Sequence, residues 1–215
     1  MRHLLIFDLD GTLVDSKRDL IDSVNATRAH MGLGSLDDHT IGRYIGRGAQ
    51  ALIRSALGDN ASEQDCDTAH EFFLGYYRDH MLDSTELYPG VRESLDELRA
   101  DGDALAILTN KPWRFSEEMM RRLGLRDHFF RVYGGNSFEQ KKPHPVGIEA
   151  LLAESGLPRE SAMMIGDSWV DVKTARNAGI RACGVTYGFQ PETLAAEPPD
   201  ALIDSMPELR RLLRE

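Results

Sequence analysis

Short, continuous apolar runs recur along the chain, and amphipathic segments separate them. Continuous rather than alternating apolar residues are typical of strands that are covered on both faces, as in a parallel sheet. The strongest runs are LLIF (4–7), ALAIL (104–108), AMMI (162–165) and ACGV (182–185), and weaker ones are RVYGG (131–135) and ALI (201–203). These runs are predicted to be the strands of one parallel sheet.

The segments between the runs have helical periodicity. After Pro89-Gly90, the residues Val91, Leu95 and Leu98 fall on one stripe of a helix. Three further segments behave in the same way and end near a glycine: FSEEMMRRLGL, HPVGIEALLAESG and SWVDVKTARNAGI. Strand and helix therefore alternate, which predicts an α/β fold with a doubly wound parallel sheet, a Rossmann-like core.

Residues 17–86 interrupt this alternation. They contain no convincing strand but several helical stretches, which read RDLIDSVNATRAHMG, TIGRYIGRGAQALIRSALG and DTAHEFFLGYYRDHML. We interpret residues 17–86 as an all-helical cap domain, inserted over the carboxyl edge of the sheet. Residues 1–16 and 87–215 then form the α/β catalytic core.

Composition narrows the possible partners. The chain has 215 residues, 41% of them hydrophobic and 28% charged, with a formal net charge of −10. This acidity argues against a nucleic-acid partner but permits a small anionic substrate, and either a monomer or a homodimer. No stretch approaches the roughly 20 apolar residues of a membrane span. Cys66 and Cys183 are far apart in the sequence, and the expected location is the reducing cytoplasm.

Polar side chains follow the predicted strands, at the edge where ligands bind in open α/β sheets. Each motif alone is weak evidence, since a DxD after a strand is often only a turn or a helix cap. Together they collect carboxylates, hydroxyls, an amide and a lysine at one edge. The residues are Asp8 and Asp10, Thr109 and Asn110, Lys142, and then Asp167, Ser168 and Asp171.

This set of side chains suits phosphoryl chemistry that depends on Mg²⁺. Clustered carboxylates repel one another, and a hard divalent cation with oxygen ligands relieves the repulsion. Thr109, Asn110 and Lys142 are donors for phosphoryl oxygens, and Gly11 allows the backbone to approach closely. One aspartate can attack phosphorus, while its neighbour two residues later protonates the leaving alcohol and then deprotonates water.

The ordered motifs DLDGT, TNK, KP and GDSxxD resemble those of the haloacid dehalogenase superfamily. The helical insert after the first motif resembles the C1-type cap of that superfamily, and the similarity spans essentially the whole chain. The resemblance implies that Asp8 is the nucleophile and Asp10 the acid/base. It also implies phosphate binding by Thr109 and Lys142. By the same resemblance, Mg²⁺ is held by the Asp8 carboxylate, the Asp10 carbonyl and Asp167, with Asp171 orienting the site and pairing with Lys142.

Finer features resemble the phosphoglycolate phosphatases of the superfamily. They are TNKP, YPGV (88–91), VTYGF (185–189), PPDALIDSMPEL and the cap sequence Gly46-Arg47-Gly48. The fourth motif departs from the usual pattern because it has the bulky Trp169 where a polar residue is common. The expected substrate is a small phosphorylated metabolite, with 2-phosphoglycolate the leading candidate. Arg47, and less strongly Arg43, are candidates for binding a substrate carboxylate, although Gly-Arg-Gly is also simply a helix-breaking turn.

Other functions remain open at this point. A phosphosugar mutase or a pyrophosphatase would use the same aspartates. A dehalogenase of the same fold is disfavoured by Asp10, because its reaction needs no acid for an alcohol leaving group. A non-enzymatic phospho-receiver also joins an acidic cluster to Thr and Lys, but its acceptor aspartate follows an interior strand rather than the first.

Overall fold

A computed structural model describes residues 2–214 of the chain. The strands are β1 (Leu4–Phe7), β2 (Val14–Asp15), β3 (Glu86–Leu87), β4 (Ala104–Leu108), β5 (Arg131–Tyr133), β6 (Ala162–Gly166), β7 (Arg181–Val185) and β8 (Ala201–Ile203). The α-helices are α1 (Lys17–His30), α2 (Asp38–Gly42), α3 (Ala49–Leu57), α4 (Glu63–His80), α5 (Val91–Ala100), α6 (Trp113–Arg122), α7 (Val146–Ser155), α8 (Trp169–Ala178) and α9 (Glu208–Leu212). Short 3₁₀ helices span Arg126–His128, Arg159–Ser161 and Pro191–Ala195.

Strand β1 lies inside a parallel sheet with the order β5-β4-β1-β6-β7-β8. The registers pair Phe7, the last residue of β1, with Ile107 of β4 and with Ile165 of β6. The residues that follow these three strands therefore emerge side by side at the carboxyl edge. Two-residue strands β2 and β3 form a separate small sheet. The predicted doubly wound α/β class is confirmed.

Both faces of the sheet are covered, which explains why the strands read as continuous apolar runs. Leu4 and Ile6 belong to a buried cluster that includes Ile148 and Leu151 of α7. Because side chains alternate along a strand, Phe7 points to the opposite face. There its ring lies edge-on to Phe129, with centroids 6.3 Å apart.

The chain divides into two compact units. One consists of residues up to Asp15 and from Leu87 onwards, and it contains the large sheet; the other spans Ser16–Glu86 and contains α1–α4. In the second unit, Asp19 near the start of α1 is buried. Its carboxylate accepts hydrogen bonds from Ser84 N, from Thr85 N and from Thr85 Oγ1, at 2.7–3.1 Å. Asp19 thereby joins the beginning of this unit to its end.

The helical stretch at 40–58 consists of two helices, in agreement with the interpretation of Gly46-Arg47-Gly48 as a helix-breaking turn. Helix α2 ends at Gly42, and α3 begins only at Ala49. Between them, Gly46 and Gly48 have φ angles of 94° and 91°, values in the left-handed region that a helix cannot contain. The two glycines therefore make the turn in which Arg47 lies.

The two cysteines are both buried free thiols. Burial raises the pKa of the Cys183 thiol to about 12, so this residue is an inert part of the core rather than a reactive thiol. No helix within residues 2–214 has the length and apolar character needed to cross a lipid bilayer.

Candidate active site

The loop after β1 is tightly folded and carries the two aspartates. Asp8 continues the strand, because its N–H donates to the Ile165 carbonyl at 2.9 Å. The amides of residues 12–14 then all donate to the Leu9 carbonyl. Gly11 has a φ of 83°, and a Cβ there would lie 2.3 Å from Asp167 Oδ2. Glycine is therefore required for both the turn and the close approach of the backbone to Asp167.

The second loop follows β4 and contributes Thr109, Asn110 and Lys111. The Thr109 hydroxyl accepts a hydrogen bond from Lys111 N at 3.2 Å. Asn110 Nδ2 donates to the Lys142 carbonyl at 3.1 Å, which joins this loop to the next motif. Lys111 Nζ lies 2.9 and 3.1 Å from the two carboxylate oxygens of Asp10. The loop thus reaches both a neighbouring motif and the first loop.

Lys142 lies between two carboxylates in the interior of the first unit. Its Nζ is 2.6 Å from Asp171 Oδ1 and 2.9 Å from Asp8 Oδ1, and only 2% of the Lys142 side chain is exposed. The contact with Asp8 is an ion pair without hydrogen-bond alignment. Within the described residues, Asp8 Oδ1 accepts no hydrogen bond, although it is fully buried. This oxygen is therefore in contact with a cation and has hydrogen-bonding capacity left.

The motif after β6 contributes two carboxylates with different surroundings. Asp167 Oδ2 accepts hydrogen bonds from the backbone amides of Phe189 and Gln190, at 2.7 and 3.3 Å. Asp171, in the first turn of α8, accepts from both Ser168 N and Ser168 Oγ through its Oδ2 atom. Since Asp171 Oδ1 contacts Lys142, both of its oxygens are engaged by protein groups. Asp171 is thereby fixed as a partner of Lys142.

Burial and mutual repulsion raise the pKa values of two carboxylates in this cluster. Burial raises the pKa of Asp8 to about 6; Lys142 opposes the shift and Asp171 adds to it. Burial, followed by repulsion from Asp171 and Asp8, holds the pKa of Asp167 well above its usual range. Burial would lower the pKa of Lys142, but attraction by Asp171 and Asp8 outweighs it and raises that pKa. One buried lysine does not compensate three carboxylates.

The cluster has the character of a divalent cation site. Carboxylate oxygens of Asp8, Asp167 and Asp171 all lie within 4.8 Å of one another. Oxygen ligands of this kind are those that Mg²⁺ takes, and a cation would relieve the repulsion that raises the carboxylate pKa values. The absence of a Cβ at Gly11 lets the backbone of the first loop lie close against the Asp167 carboxylate. The residues present therefore fit a divalent metal ion.

The structure thus brings together most of the residues that the motifs single out. Contacts within the site connect the following residues, directly or through Lys111: Asp8, Asp10, Gly11, Thr109, Asn110, Lys142, Asp167, Ser168 and Asp171. Arg43 and Arg47 belong to the other unit. Both are exposed, Arg43 at the end of α2 and Arg47 in the glycine-flanked turn before α3. Their proposed contact with substrate stays a prediction.

Two features of the site were not found from the sequence. The sequence pattern assigns no role to Lys111 of the TNK motif, although it follows β4 by as many residues as Asp10 follows β1, and the two strands are neighbours. That spacing could have found it. The amides of Phe189 and Gln190 that bind Asp167 are backbone groups, which leave no mark in the side-chain pattern.

Comparison with known protein families agrees with this geometry. Residues 5–185 match the family described as haloacid dehalogenase-like hydrolase. The match covers most of the chain and includes every candidate site residue from Asp8 to Asp171. The chain therefore belongs to the haloacid dehalogenase-like hydrolases, and it is an enzyme of that family.

Its relatives indicate which branch of the family it resembles. The chain is 38% identical to a phosphoglycolate phosphatase of Chromobacterium violaceum, over 100% of this chain and 98% of the relative. It is 37% identical to a phosphoglycolate phosphatase of Vibrio vulnificus, over 96% of this chain and 93% of the relative. A solved structure of a predicted phosphoglycolate phosphatase from Haemophilus somnus superposes with a TM-score of 0.93 at 30% identity, covering 98% and 97% of the two chains. The chain is thus phosphoglycolate phosphatase-like along its whole length.

Proposed function

We propose that this enzyme is a Mg²⁺-dependent phosphatase that hydrolyses a small phosphorylated metabolite through an aspartyl-phosphate. The observation that carries the proposal is the state of Asp8. Its carboxylate is buried, it faces Lys142 and the carboxylate cluster, and its Oδ1 atom accepts no hydrogen bond from the described residues. A buried carboxylate oxygen that accepts no hydrogen bond and lies beside a lysine ammonium group is suited to attack phosphorus.

The two aspartates of the first loop divide the reaction into two steps. In the first, an Asp8 oxygen forms a bond to phosphorus while the ester bond breaks, and Asp10 gives a proton to the leaving oxygen. In the second, water attacks phosphorus, the Asp8–phosphorus bond breaks and Asp10 takes the proton from the water. Ester and water become alcohol and inorganic phosphate, and both aspartates return to their starting states.

The remaining residues bind charge and hold the reacting groups. Thr109 and Lys142 donate to the oxygens of the phosphoryl group, and Asp171 fixes the position of Lys142. The carboxylates of Asp8 and Asp167, with the Asp10 carbonyl, would hold Mg²⁺. When it is bound, Mg²⁺ neutralises charge that develops on the phosphoryl oxygens. Asn110 Nδ2, which donates to the Lys142 carbonyl, holds the two donor loops together.

For the substrate we propose 2-phosphoglycolate. The proposal is supported by the names of relatives that share 37–38% of their residues with this chain over nearly its full length. We further propose that residues 17–86 provide specificity, with Arg47 binding the substrate carboxylate. Arg47→Ala should then raise KM for a carboxylated substrate more than for a neutral one. Equal effects on both substrates would give Arg47 only a structural role in its turn.

The test is phosphate release by the wild type and by Asp8→Asn, with and without Mg²⁺, across a panel of phosphorylated metabolites and pyrophosphate. The matched control is Asp127→Asn, which makes the same change at an exposed carboxylate of the first unit. We expect a preference for 2-phosphoglycolate in kcat/KM, dependence on Mg²⁺ and loss of turnover in Asp8→Asn alone. Intact-mass analysis of rapidly quenched enzyme should detect one added phosphoryl group.

Each other outcome contradicts a different part of the proposal. Normal turnover by cleanly purified Asp8→Asn would remove Asp8 as the nucleophile. Broad, weak turnover that still depends on Asp8 would keep the chemistry and exclude 2-phosphoglycolate as the substrate. Preference for pyrophosphate, or return of the phosphoryl group to a sugar product, would identify a pyrophosphatase or a mutase. A stable phosphorylated aspartate without turnover would favour a phospho-receiver.

A further inference from the structure

Lys111 is a buried cation whose position is fixed by its own loop. Only 3% of its side chain is exposed. Its backbone carbonyl accepts a hydrogen bond from Gly135 N at 2.8 Å. A Cβ on Gly134 would lie 2.8 Å from that same carbonyl oxygen, and one on Gly135 would lie 2.3 Å from the Asn110 carbonyl. The glycine pair after β5 therefore lets the loop of Lys111 pack closely against it.

The ammonium group of Lys111 meets Asp10 rather than Asp8. Its Nζ lies 2.9 Å from Asp10 Oδ1 and 3.1 Å from Asp10 Oδ2, so it engages both oxygens of that carboxylate. Asp8 has a different lysine, Lys142. Each aspartate of the first loop thus has its own buried cation, supplied by a different loop. Burying an ion pair carries a desolvation cost for each ion, which a surface position would avoid.

We propose that Lys111 is the positioning residue of Asp10, holding its carboxyl group where it can exchange a proton with the leaving oxygen and then with water. This inference rests on the proposed function, since it concerns the acid/base of that reaction. Lys111 acts through Asp10 and does not bind the phosphoryl group. Its removal should therefore slow the steps that need proton transfer and leave phosphate affinity and attack by Asp8 unaffected.

An aryl ester separates these effects. p-Nitrophenolate leaves with its electron pair and needs no proton, so formation of the aspartyl-phosphate from p-nitrophenyl phosphate does not depend on Asp10. Water attack on the aspartyl-phosphate does depend on Asp10. In 2-phosphoglycolate the leaving group is an alkoxide, which needs the proton. The two substrates therefore differ in the first step alone.

The experiment measures Lys111→Met by rapid mixing with each substrate in Mg²⁺. With p-nitrophenyl phosphate we expect a burst of p-nitrophenolate at a rate within about threefold of wild type, followed by turnover slowed about 100-fold, the lower end of acid/base contributions. With 2-phosphoglycolate we expect turnover to fall by about 100-fold or more without a burst. Inhibition by inorganic phosphate should not change, and KM for p-nitrophenyl phosphate should fall, because the slowed second step makes the phosphorylated enzyme accumulate. Lys173→Met, at an exposed lysine of α8, is the matched control.

A double variant keeps the test decisive if the single variant is unstable. Asp10→Asn combined with Lys111→Met removes both charges of the pair, and so leaves no buried charge without its partner. If Lys111 acts through Asp10, the double variant should match Asp10→Asn in burst rate and in turnover, because the two effects do not add.

Three results would overturn the proposal or its basis. A slower burst or a raised KM in Lys111→Met would mean that Lys111 binds the phosphoryl group itself. Additive losses in the double variant would mean that Lys111 acts independently of Asp10. If the wild type forms neither phosphate nor phosphoenzyme from any ester, the proposed function fails and this role of Lys111 fails with it. If the wild type shows a normal burst but Lys111→Met or the double variant gives one of the first two results, the role of Lys111 is rejected and the proposed function stands.

Discussion

A buried carboxylate destabilises a folded protein when nearby cations do not offset the cost of its burial, and Asp8, despite its ion pair with Lys142, is such a group when the metal is removed. Its pKa is raised from 3.8 to about 6, chiefly by burial. Asp8→Asn removes the charge while keeping almost the same shape. We therefore expect this variant, which should lose turnover, to be more stable than the wild type in the presence of a chelator.

The size and the pH dependence of the effect follow from the shift. Between pH 3.8 and about 6 the folded wild type binds more protons at Asp8 than the unfolded chain does. Below pH 3.8 Asp8 is protonated in both states and its burial costs no charge. As the pH rises from 3.8 to about 6, the free energy of unfolding of the wild type falls, because the folded state must then bury the charged carboxylate. The rise of the Asp8 pKa from 3.8 to about 6 corresponds to about 3 kcal/mol. Asp8→Asn should be more stable by up to about 3 kcal/mol near pH 7.5, but only by about 1 kcal/mol near pH 4.5.

Urea unfolding followed by tryptophan fluorescence measures this difference. Both tryptophans of the chain, Trp113 and Trp169, belong to the unit that contains Asp8, so the signal reports the unfolding of that unit. Asp127→Asn is the exposed control. Addition of Mg²⁺ should make the wild type more stable than Asp8→Asn, because a bound ligand stabilises only the protein that binds it. Equal or lower stability of Asp8→Asn near pH 7.5 in chelator would refute the reasoning.

Two further predictions concern other parts of the chain. Gly188→Ala would place a Cβ 2.2 Å from Asp167 Cβ and so displace the Asp167 side chain. Mg²⁺ binding should then weaken by about 10- to 100-fold, the effect typical of lost support around a metal ligand. Unchanged affinity in a Mg²⁺ titration would contradict this prediction. Asp19→Asn should weaken the hydrogen bonds from Ser84 and Thr85. The result should be a destabilisation of about 1–3 kcal/mol, seen as faster amide exchange at residues 84 and 85; unchanged exchange there would mean that these hydrogen bonds do not hold the segment.

The sheet was predictable because its strands are covered on both faces and so have continuous apolar sequences. The runs at 4–7 and 104–108 coincide with β1 and β4. The division of the stretch at 40–58 was predictable only as one of two interpretations of Gly-Arg-Gly, because the apolar residues keep helical spacing across the break. The decisive signal was local: Gly46 and Gly48, which adopt positive φ angles, outweigh the periodicity.

The site was predictable as far as it depends on sheet topology. Residues that follow adjacent parallel strands meet at one edge, so the motifs after β1, β4 and β6 had to converge. Apart from the pair of Asp171 and Lys142, which the family resemblance implies, the sequence could not reveal which charged groups pair within the cluster. That Lys142 meets Asp8 while Lys111 meets Asp10 depends on side-chain reach within the packed loops. Likewise, the amides that bind Asp167 come from a loop whose backbone path no residue pattern specifies.

The point at which the chain leaves and rejoins the sheet-containing unit has an evolutionary consequence. The Leu13 carbonyl accepts a hydrogen bond from the Tyr88 amide at 3.1 Å, so residues separated by more than seventy positions in the sequence are held side by side. The cost of closing a loop grows only slowly with its length. The intervening segment can therefore be lengthened, shortened or exchanged between lineages at little cost to the sheet. The reactive residues and the inserted segment are free to diverge at different rates.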